Sequence, residues 1–341
     1  MRDVRPRVRL ADVARLAGVS ISAVSRCFTP GASVSDQTKS LVLKAAHELG
    51  YQPPLAGKTM GGSPVHMVAL TVSYFRNPFH PQLVESIARA LRQIGYQMLL
   101  FQTEGDERGS TEVEDTLFRV MNYPVDGLFM LNSRLSSSEE NLLRSLNIPI
   151  VMVSRTGADS PFSTVGADNH EGGRLAAHAL VQAGCKRIAY MAGLENTSTQ
   201  IEREQGFRDG LAEKGAILFD RVVGHYTDDG ARHATRVLFS RDHRPDALFA
   251  ANDLMAMVAM DTLKSEYRLQ VPRDVSVVGF GNIPPAAWPS YDLTTIDAGM
   301  DVMAKESVRM MMELVRSPGR TIEKIRVPVS LASRSSVRQT R

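Results

Sequence analysis

The chain is poor in cysteine, has one tryptophan and contains no long apolar run. Its two cysteines, Cys27 and Cys185, offer no disulfide framework and fit a reducing cytoplasm. No stretch approaches the ~18 consecutive apolar residues of a membrane span, so no membrane partner is expected. Arg2, Arg5, Arg7 and Arg9 have no apolar segment behind them, which reads as no secretory signal. Catalytic signatures are missing as well: there is no P-loop, no nucleophile elbow, no paired-cysteine metal site and no carboxylate pair spaced as acid and base. The histidines, among them His225, His233 and His243, match no metal-ligand spacing and read as solvated imidazoles. Gly279-Phe280-Gly281-Asn282-Ile283-Pro284 imitates a dinucleotide loop, but Pro284 stands where the third glycine would be. Asn196-Thr197-Ser198 fits a glycosylation site by chance alone. The expectation is a non-enzyme with no cofactor and no metal.

A length of 341 residues suggests two or three domains, and 43% hydrophobic with 23% charged residues is ordinary soluble composition. Charge is unevenly spread. Residues 1–63 hold nine Lys/Arg against four acids, while the remainder carries 31 basic against 33 acidic residues. A basic head on a slightly acidic body is the electrostatic footprint of a DNA-binding module.

Leu10 to Tyr51 supplies the matching geometry. In Ala11–Ser20 the spacing of Val13, Leu16 and Ala17 predicts a short amphipathic helix with those three on one face. Gly18 can adopt the left-handed conformation that stops it, and Ser20 can cap the next helix. Two short helices across so tight a turn cross steeply, as in a helix-turn-helix. A third helix is capped by Ser35, carries Val42, Ala45, Ala46 and Leu49 on one stripe, and ends at Gly50, with Tyr51 closing a small core. An ordinary helical domain is the alternative, and the charge favours DNA.

In the DNA reading the second helix points Ile21 and Ser22 into the major groove, with Arg26 one turn on, while Val24 faces the core. Arg26 can pair with guanine O6 and N7 or contact a phosphate; Ile21 can touch a thymine methyl, and Ser22 can donate or accept. Ser20, Ser25, Ser35, Thr38 and the basic arm read as backbone-positioning groups.

Residues 52–64 are rich in Pro and Gly and read as a linker. Beyond them, expected strands at Met67–Val72, Gln97–Gln102, Gly127–Leu131, Ile150–Val153, Arg187–Met191, Ala247–Ala250 and Val275–Phe280 alternate with helices such as Pro81–Ile94, Glu171–Gln182 and Asp253–Ser265. That alternation means right-handed βαβ units and parallel sheets, whose ligands bind beyond the carboxyl ends of the strands.

Several segments together carry a family resemblance. Asp12-Val13-Ala14, Ala17-Gly18-Val19-Ser20, Val24-Ser25-Arg26 and Glu48-Leu49-Gly50-Tyr51 are followed by Asn77-Pro78-Phe79 and by Asp168-Asn169 with Gly172-Gly173. Arg203 with Gly206-Phe207, Ala251-Asn252-Asp253, Val277-Val278-Gly279-Phe280 and Leu293-Thr294-Thr295-Ile296 complete the series. In this order the chain resembles the lactose-repressor (LacI) family of transcription regulators over nearly its whole length.

The resemblance implies an all-α helix-turn-helix domain at 1–51, a linker or hinge helix at 52–64, and an α/β body of two subdomains like those of periplasmic binding proteins. The subdomains span 65–163 plus 296–325 and 164–295 plus 326–341, with the chain crossing near 163–166, 292–296 and 325–328. It also implies a homodimer on a palindromic double-stranded operator, acting as a cytoplasmic repressor under a small-molecule effector bound in the cleft.

By position, Tyr74, Phe75, Asn77, Ser154, Arg155, Arg203, Asn252, Asn282 and Trp288 would line that cleft. Arg203 matches an arginine that grips ligand hydroxyls or a carboxylate, with a salt bridge to Glu204 or Asp209 as its alternative. Trp288 would stack on a sugar ring or fill the core. Gly281 stands where many sugar-binding members carry an aspartate; with Arg155 and Arg203 nearby, this favours a sugar or sugar derivative that is acidic. Met300, Met303 and Met310–Met312 read as core or dimer interface. The polar tail Ser333–Arg341 has no heptad pattern for a tetramer. A solute-binding protein on the same body is the rival, opposed by the basic head.

In the family the linker forms a hinge helix with an apolar wedge in the minor groove, and here Met60 takes the wedge position beside Lys58. Pro54 replaces the usual asparagine cap, and Gly57 costs about 1 kcal/mol of helix propensity relative to alanine. A short, weak hinge helix is expected. Hydrogen exchange on the operator complex should find its amides only partly protected; full protection would contradict this.

Overall fold

The computed structural model describes residues 9–28, 32–49, 51, 64–103, 113–131, 135–146, 148–155, 160–317 and 320–339. Pro54, Gly57, Lys58 and Met60, on which the hinge expectation rests, lie outside them, as does Gly50. The chain divides into two units, Met1–Val65 and His66–Arg341.

The first unit contains α1 (Leu10–Ala17), α2 (Ile21–Cys27) and α3 (Asp36–Leu49). Gly18 ends α1 at φ 67°, which lets the Gly18 and Val19 N–H groups turn back to the carbonyls of Arg15 and Ala14 at 3.4 and 3.1 Å. Ser20 Oγ then accepts the Ala23 N–H at 3.2 Å, and Ser35 Oγ accepts the Thr38 N–H at 3.3 Å. Val13, Ala14, Val24, Val42, Ala45, Ala46 and Tyr51 form the core, with Leu10, Ala17 and Leu49 packed on its edge. Leu16 departs from expectation. It is 47% exposed, because the inward stripe of α1 runs through Leu10, Val13, Ala14 and Ala17, and Leu16 falls roughly 100° off its centre.

The second unit is built on two six-stranded sheets. In the first, β1 (Met67–Val72), β2 (Gln97–Gln102), β3 (Leu128–Leu131), β4 (Ile150–Val153), β5 (Ser163–Ala167) and β11 (Lys324–Val327) run parallel in the order β11-β5-β4-β3-β1-β2. The second comprises β6 (Ile188–Ala192), β7 (Asp220–Val223), β8 (Ala247–Ala250), β9 (Ser276–Gly281), β10 (Thr294–Asp297) and β12 (Ser330–Ala332), ordered β12-β10-β9-β8-β6-β7. Only β12 is antiparallel there.

Strands β1, β3, β4, β6, β8 and β9 are buried at every residue. They can be unbroken apolar runs because helices cover both faces of a parallel sheet. Those helices are α4 (Phe79–Gln93), α5 (Val113–Met121), α6 (Ser137–Ser145), α7 (Asn169–Gln182), α8 (Ser198–Glu213), α9 (Asp228–Phe239), α10 (Asp253–Tyr267) and α11 (Met300–Arg316). Met300, Met303, Met310, Met311 and Met312 of α11 are all buried, as the spacing suggests.

The chain crosses between sheets three times, after β5, after β10 and after β11. The first two crossings fall later than 163–166 and 292–296. Residues 164–167 pair in the first sheet, 296–297 in the second, and 326–327 in the first. The short polar strands there, Ser163-Thr164-Val165-Gly166-Ala167 and Thr294-Thr295-Ile296-Asp297, have no alternation that marks their ends.

Helices α7 and α8 touch backbone to backbone. A Cβ on Gly206 would overlap the His170 carbonyl, and one on Gly173 would lie 2.7 Å from the Phe207 nitrogen. Gly210 meets the Arg174 carbonyl in the same way at 2.8 Å. This explains Gly173, Gly206 and Gly210 in the sequence, since each lets the backbone of the facing helix approach where a Cβ would stand; Gly172 instead makes room for Phe280 and Ile296. Gly206→Ala should destabilise the protein by about 3 kcal/mol through overpacking. Urea denaturation checks this, and a loss below about 0.5 kcal/mol would show that the helices separate freely.

Candidate functional site

On α2, Ile21 is 56% exposed, Ser22, Ser25 and Arg26 are exposed, and Val24 is fully buried. The outward strip is therefore Ile21, Ser22, Ser25 and Arg26, two adjacent pairs one turn apart. Ser20 is spent as the cap, and its hydroxyl lies 2.9 Å from that of Ser22. The Ser35 and Thr38 hydroxyls are paired at 2.8 Å at the start of α3.

In the second unit a cleft opens beyond the carboxyl ends of the strands, where parallel sheets present loops and helix N-termini. It encloses about 590 Å³ of space between protein atoms, open solvent included. Tyr74 and Asn77 reach it from the loop after β1, Ser154 and Arg155 from the end of β4, Arg203 from α8, and Asn252 from the end of β8.

Phe75 instead lines a wider adjoining chamber. Asn282 and Trp288 line neither. The chain turns at Gly281 (φ 135°) and Asn282 (φ 54°), and the Asn282 amide is held between Asp297 Oδ2 at 2.9 Å and the Arg334 guanidinium at 2.6 Å. A 3-10 turn at Pro284–Ala287 then leads to Trp288, which is 56% exposed and so neither fills the core nor reaches the cleft. A φ of 135° also bars an aspartate from position 281 without strain.

Sequence reasoning missed Phe79, His80, Asn169, Thr199, Tyr226, Phe280 and Met303 of the lining. Phe79, Asn169 and Phe280 belong to motifs already noticed, so adjacency could have found them. Tyr226 carries no such signal. It enters because His225 and Tyr226 both take left-handed backbone (φ 56° and 63°), laying the Tyr226 ring where a Cβ on Gly193 would be.

Arg203 is the electrostatic centre. Only 8% exposed, its guanidinium lies 3.4 Å over the Phe280 ring, donates to Asn169 Oδ1 at 2.6 Å, and donates to the Ala251 carbonyl. No salt bridge to Glu204 or Asp209 forms: Glu204 is taken by Arg208 and Arg221 at 2.7 and 2.9 Å, and Asp209 by His170 at 2.8 Å. Burial pushes the Arg203 pKa down. Asn252 spends Oδ1 on capping α10, accepting from Met255 N at 2.8 Å. Arg203 Nε and Asn252 Nδ2 are buried and find no acceptor among the described residues. His80, packed edge-on to Tyr74, is pushed down to about 4 by burial and by the Arg155 charge, so it is neutral near pH 7.

Beneath the cleft Asp253 accepts the Ile283 N–H at 2.9 Å and the Thr295 hydroxyl, yet burial outweighs these bonds and raises its pKa to about 6. The sign follows from linkage. Below pH ~4 both folded and unfolded chains are protonated; between ~4 and 6 only the unfolded chain ionises, so stability falls as pH rises and levels off above 6. The loss is about 3 kcal/mol. Asn at this position could accept from Ile283 and donate to Thr295 Oγ1. Asp253→Asn should therefore flatten the stability profile between pH 4 and 6.5, measured by denaturant titration; an unchanged slope would contradict the assignment.

Comparison with known proteins matches this geometry. The family described as bacterial regulatory proteins, lacI family, matches residues 9–54, and a periplasmic binding protein-like domain matches residues 160–337. The chain is 30% identical over 331 residues to the ribose operon repressor of Escherichia coli K12, covering 96% of this chain and 99% of that one. It is 32% identical over 332 residues to the HTH-type transcriptional regulator CelR of Thermobifida fusca, covering 95% and 96%. Among solved structures, a transcriptional regulator CelR–cellobiose complex superposes with a TM-score of 0.72 at 29% identity, covering 97% of this chain and all of that one. The lac repressor dimer bound to operator and the anti-inducer ONPF reaches 0.83 at 24% identity over 98% of this chain and all of its own, a likeness of fold alone.

Proposed function

The chain belongs to the lacI family of bacterial regulatory proteins, and we propose that it is a cytoplasmic repressor that binds a palindromic operator as a homodimer and answers to an acidic sugar derivative in its cleft. The observation that carries the ligand half is the pair of buried donors, Arg203 Nε and Asn252 Nδ2, left without acceptors among the described residues. A buried donor is costly to leave unmade, so the occupant brings oxygens to meet them. Among the described residues Arg155 and Arg203 line the cleft and no Asp or Glu does, which favours an occupant with negative charge, Arg203 gripping it and Tyr74, Asn77 and Ser154 ordering its hydroxyls.

On DNA, Arg26 reads guanine, Ile21 touches a thymine methyl and Ser22 exchanges a hydrogen bond, while Ser20, Ser25, Ser35 and Thr38 hold the phosphates. Lys58 and Met60, outside the described residues, serve the backbone and the minor groove. Effector closure of the cleft changes the angle between paired first lobes and so the spacing of the two heads. The coupling can reach the ligand's preference for one state, typically 1–3 kcal/mol.

Fluorescence anisotropy on palindromic duplexes, with a panel of sugars and sugar acids, tests both halves. Arg26→Ala should cost about 1–3 kcal/mol of discrimination at one base pair per half-site. Arg203→Met should keep operator binding and lose the ligand response. Uniform weakening on all sequences by Arg26→Ala would reduce that residue to a phosphate contact, and a ligand response surviving Arg203→Met would remove the effector from this cleft.

A further inference from the structure

The cleft does not end at its inner lining. Tyr74 borders both the inner cleft and a second chamber between the lobes, which encloses about 2520 Å³ with open solvent included. The two differ in chemistry. Among the described residues the inner cleft has two arginines and no acid. The outer chamber has Phe75 and Arg76 on the first lobe, facing His225, Asp228, Asp229 and Glu195 on the second, with Glu195 paired to Arg221 at 3.0 Å. The turn at His225-Tyr226 divides them, with Tyr226 on the inner side and His225 on the outer.

We propose that the effector is an oligosaccharide of at least two units, held with its acidic unit inward on Arg203 and a neutral, hydroxyl-bearing unit in the outer chamber. This rests on the cleft being the effector site. A monosaccharide acid would satisfy Arg203 Nε and Asn252 Nδ2 but leave the outer walls untouched. A neutral ring fits those walls: its C–H face packs on an aromatic side such as Phe75, and its hydroxyls donate to the Asp228 and Asp229 carboxylates. A second acidic unit would meet carboxylates that outnumber the single Arg76 on the described walls and be repelled. The charge difference therefore sets direction as well as length.

The test is calorimetric titration of the full chain with three probe sets: glucuronic acid; a glucuronosyl disaccharide with a neutral second sugar; and a disaccharide of two uronic acids. The mixed disaccharide should bind at least tenfold more tightly than the other two. Phe75→Ala should erode that advantage, and independently Asp228→Asn should narrow the gap to the diacid, each leaving glucuronic acid within twofold. Equal affinity for all three, a preference for the diacid, or binding by none would overturn the proposal. Failure of the cleft reading is separable, because Arg203→Met would then leave the affinity of every binder unchanged.

Discussion

A guanidinium buried in the second unit with no carboxylate bonded to it among the described residues is the constraint on which the body's arrangement turns. Removing Arg203 from water costs several kcal/mol; Asp253 and Glu202 favour its charge from a distance, while the groups that touch it are neutral, the Phe280 face, the Ala251 carbonyl and the Asn169 amide oxygen. Each must be held to within a fraction of an ångström. The glycine contact of α7 with α8 fixes Asn169 relative to Arg203, and the buried strands β8 and β9 deliver Ala251 and Phe280. The Arg203 Nε donor that stays unmet among the described residues is what a cleft ligand can exploit.

The same region is placed to transmit movement. The three crossings between lobes lie beside it, and Arg326 of β11 reaches Glu202 of α8 at 3.1 Å, an ion pair from the first lobe to the second. Burial raises the Glu202 pKa even with that partner. A ligand drawn onto Arg203 from above, with Tyr74, Asn77 and Ser154 opposite, has contacts on both lobes and so favours the closed arrangement over an open one. The head needs no comparable device: with α1 stopped by Gly18 and α2 capped by Ser20, α2 presents its outward strip from its own small core.

Much of this was legible in the sequence, for reasons that differ by element. Long apolar strands such as Met67–Val72, Ile150–Val153 and Ala247–Ala250 stand out because burial on both faces imposes an unbroken run. The edge and crossing strands β5, β7, β10, β11 and β12 escaped, since short segments with polar residues are set by their neighbours and not by their own pattern. Leu16 was misplaced because in a helix of eight residues a shift of one position reassigns the inner face. Six of the nine expected cleft residues reach the cleft, those on strand ends and on α8. Asn282 and Trp288 do not, because two residues with positive φ redirect the chain where sequence spacing assumes it continues. Tyr226 was invisible for the converse reason, arriving by a turn that no residue type announces.

If closure of the cleft is the signal, the distance across it must change whenever operator affinity changes. Double electron–electron resonance between spin labels at Arg144→Cys on α6 and Lys264→Cys on α10, with Cys27→Ser to leave the head unlabelled, reads that distance directly. A ligand that alters operator binding should shift the distribution between the lobes, and Arg203→Met should abolish both effects together. A ligand that alters operator affinity while the distribution stays fixed would contradict the claim that lobe closure carries the signal.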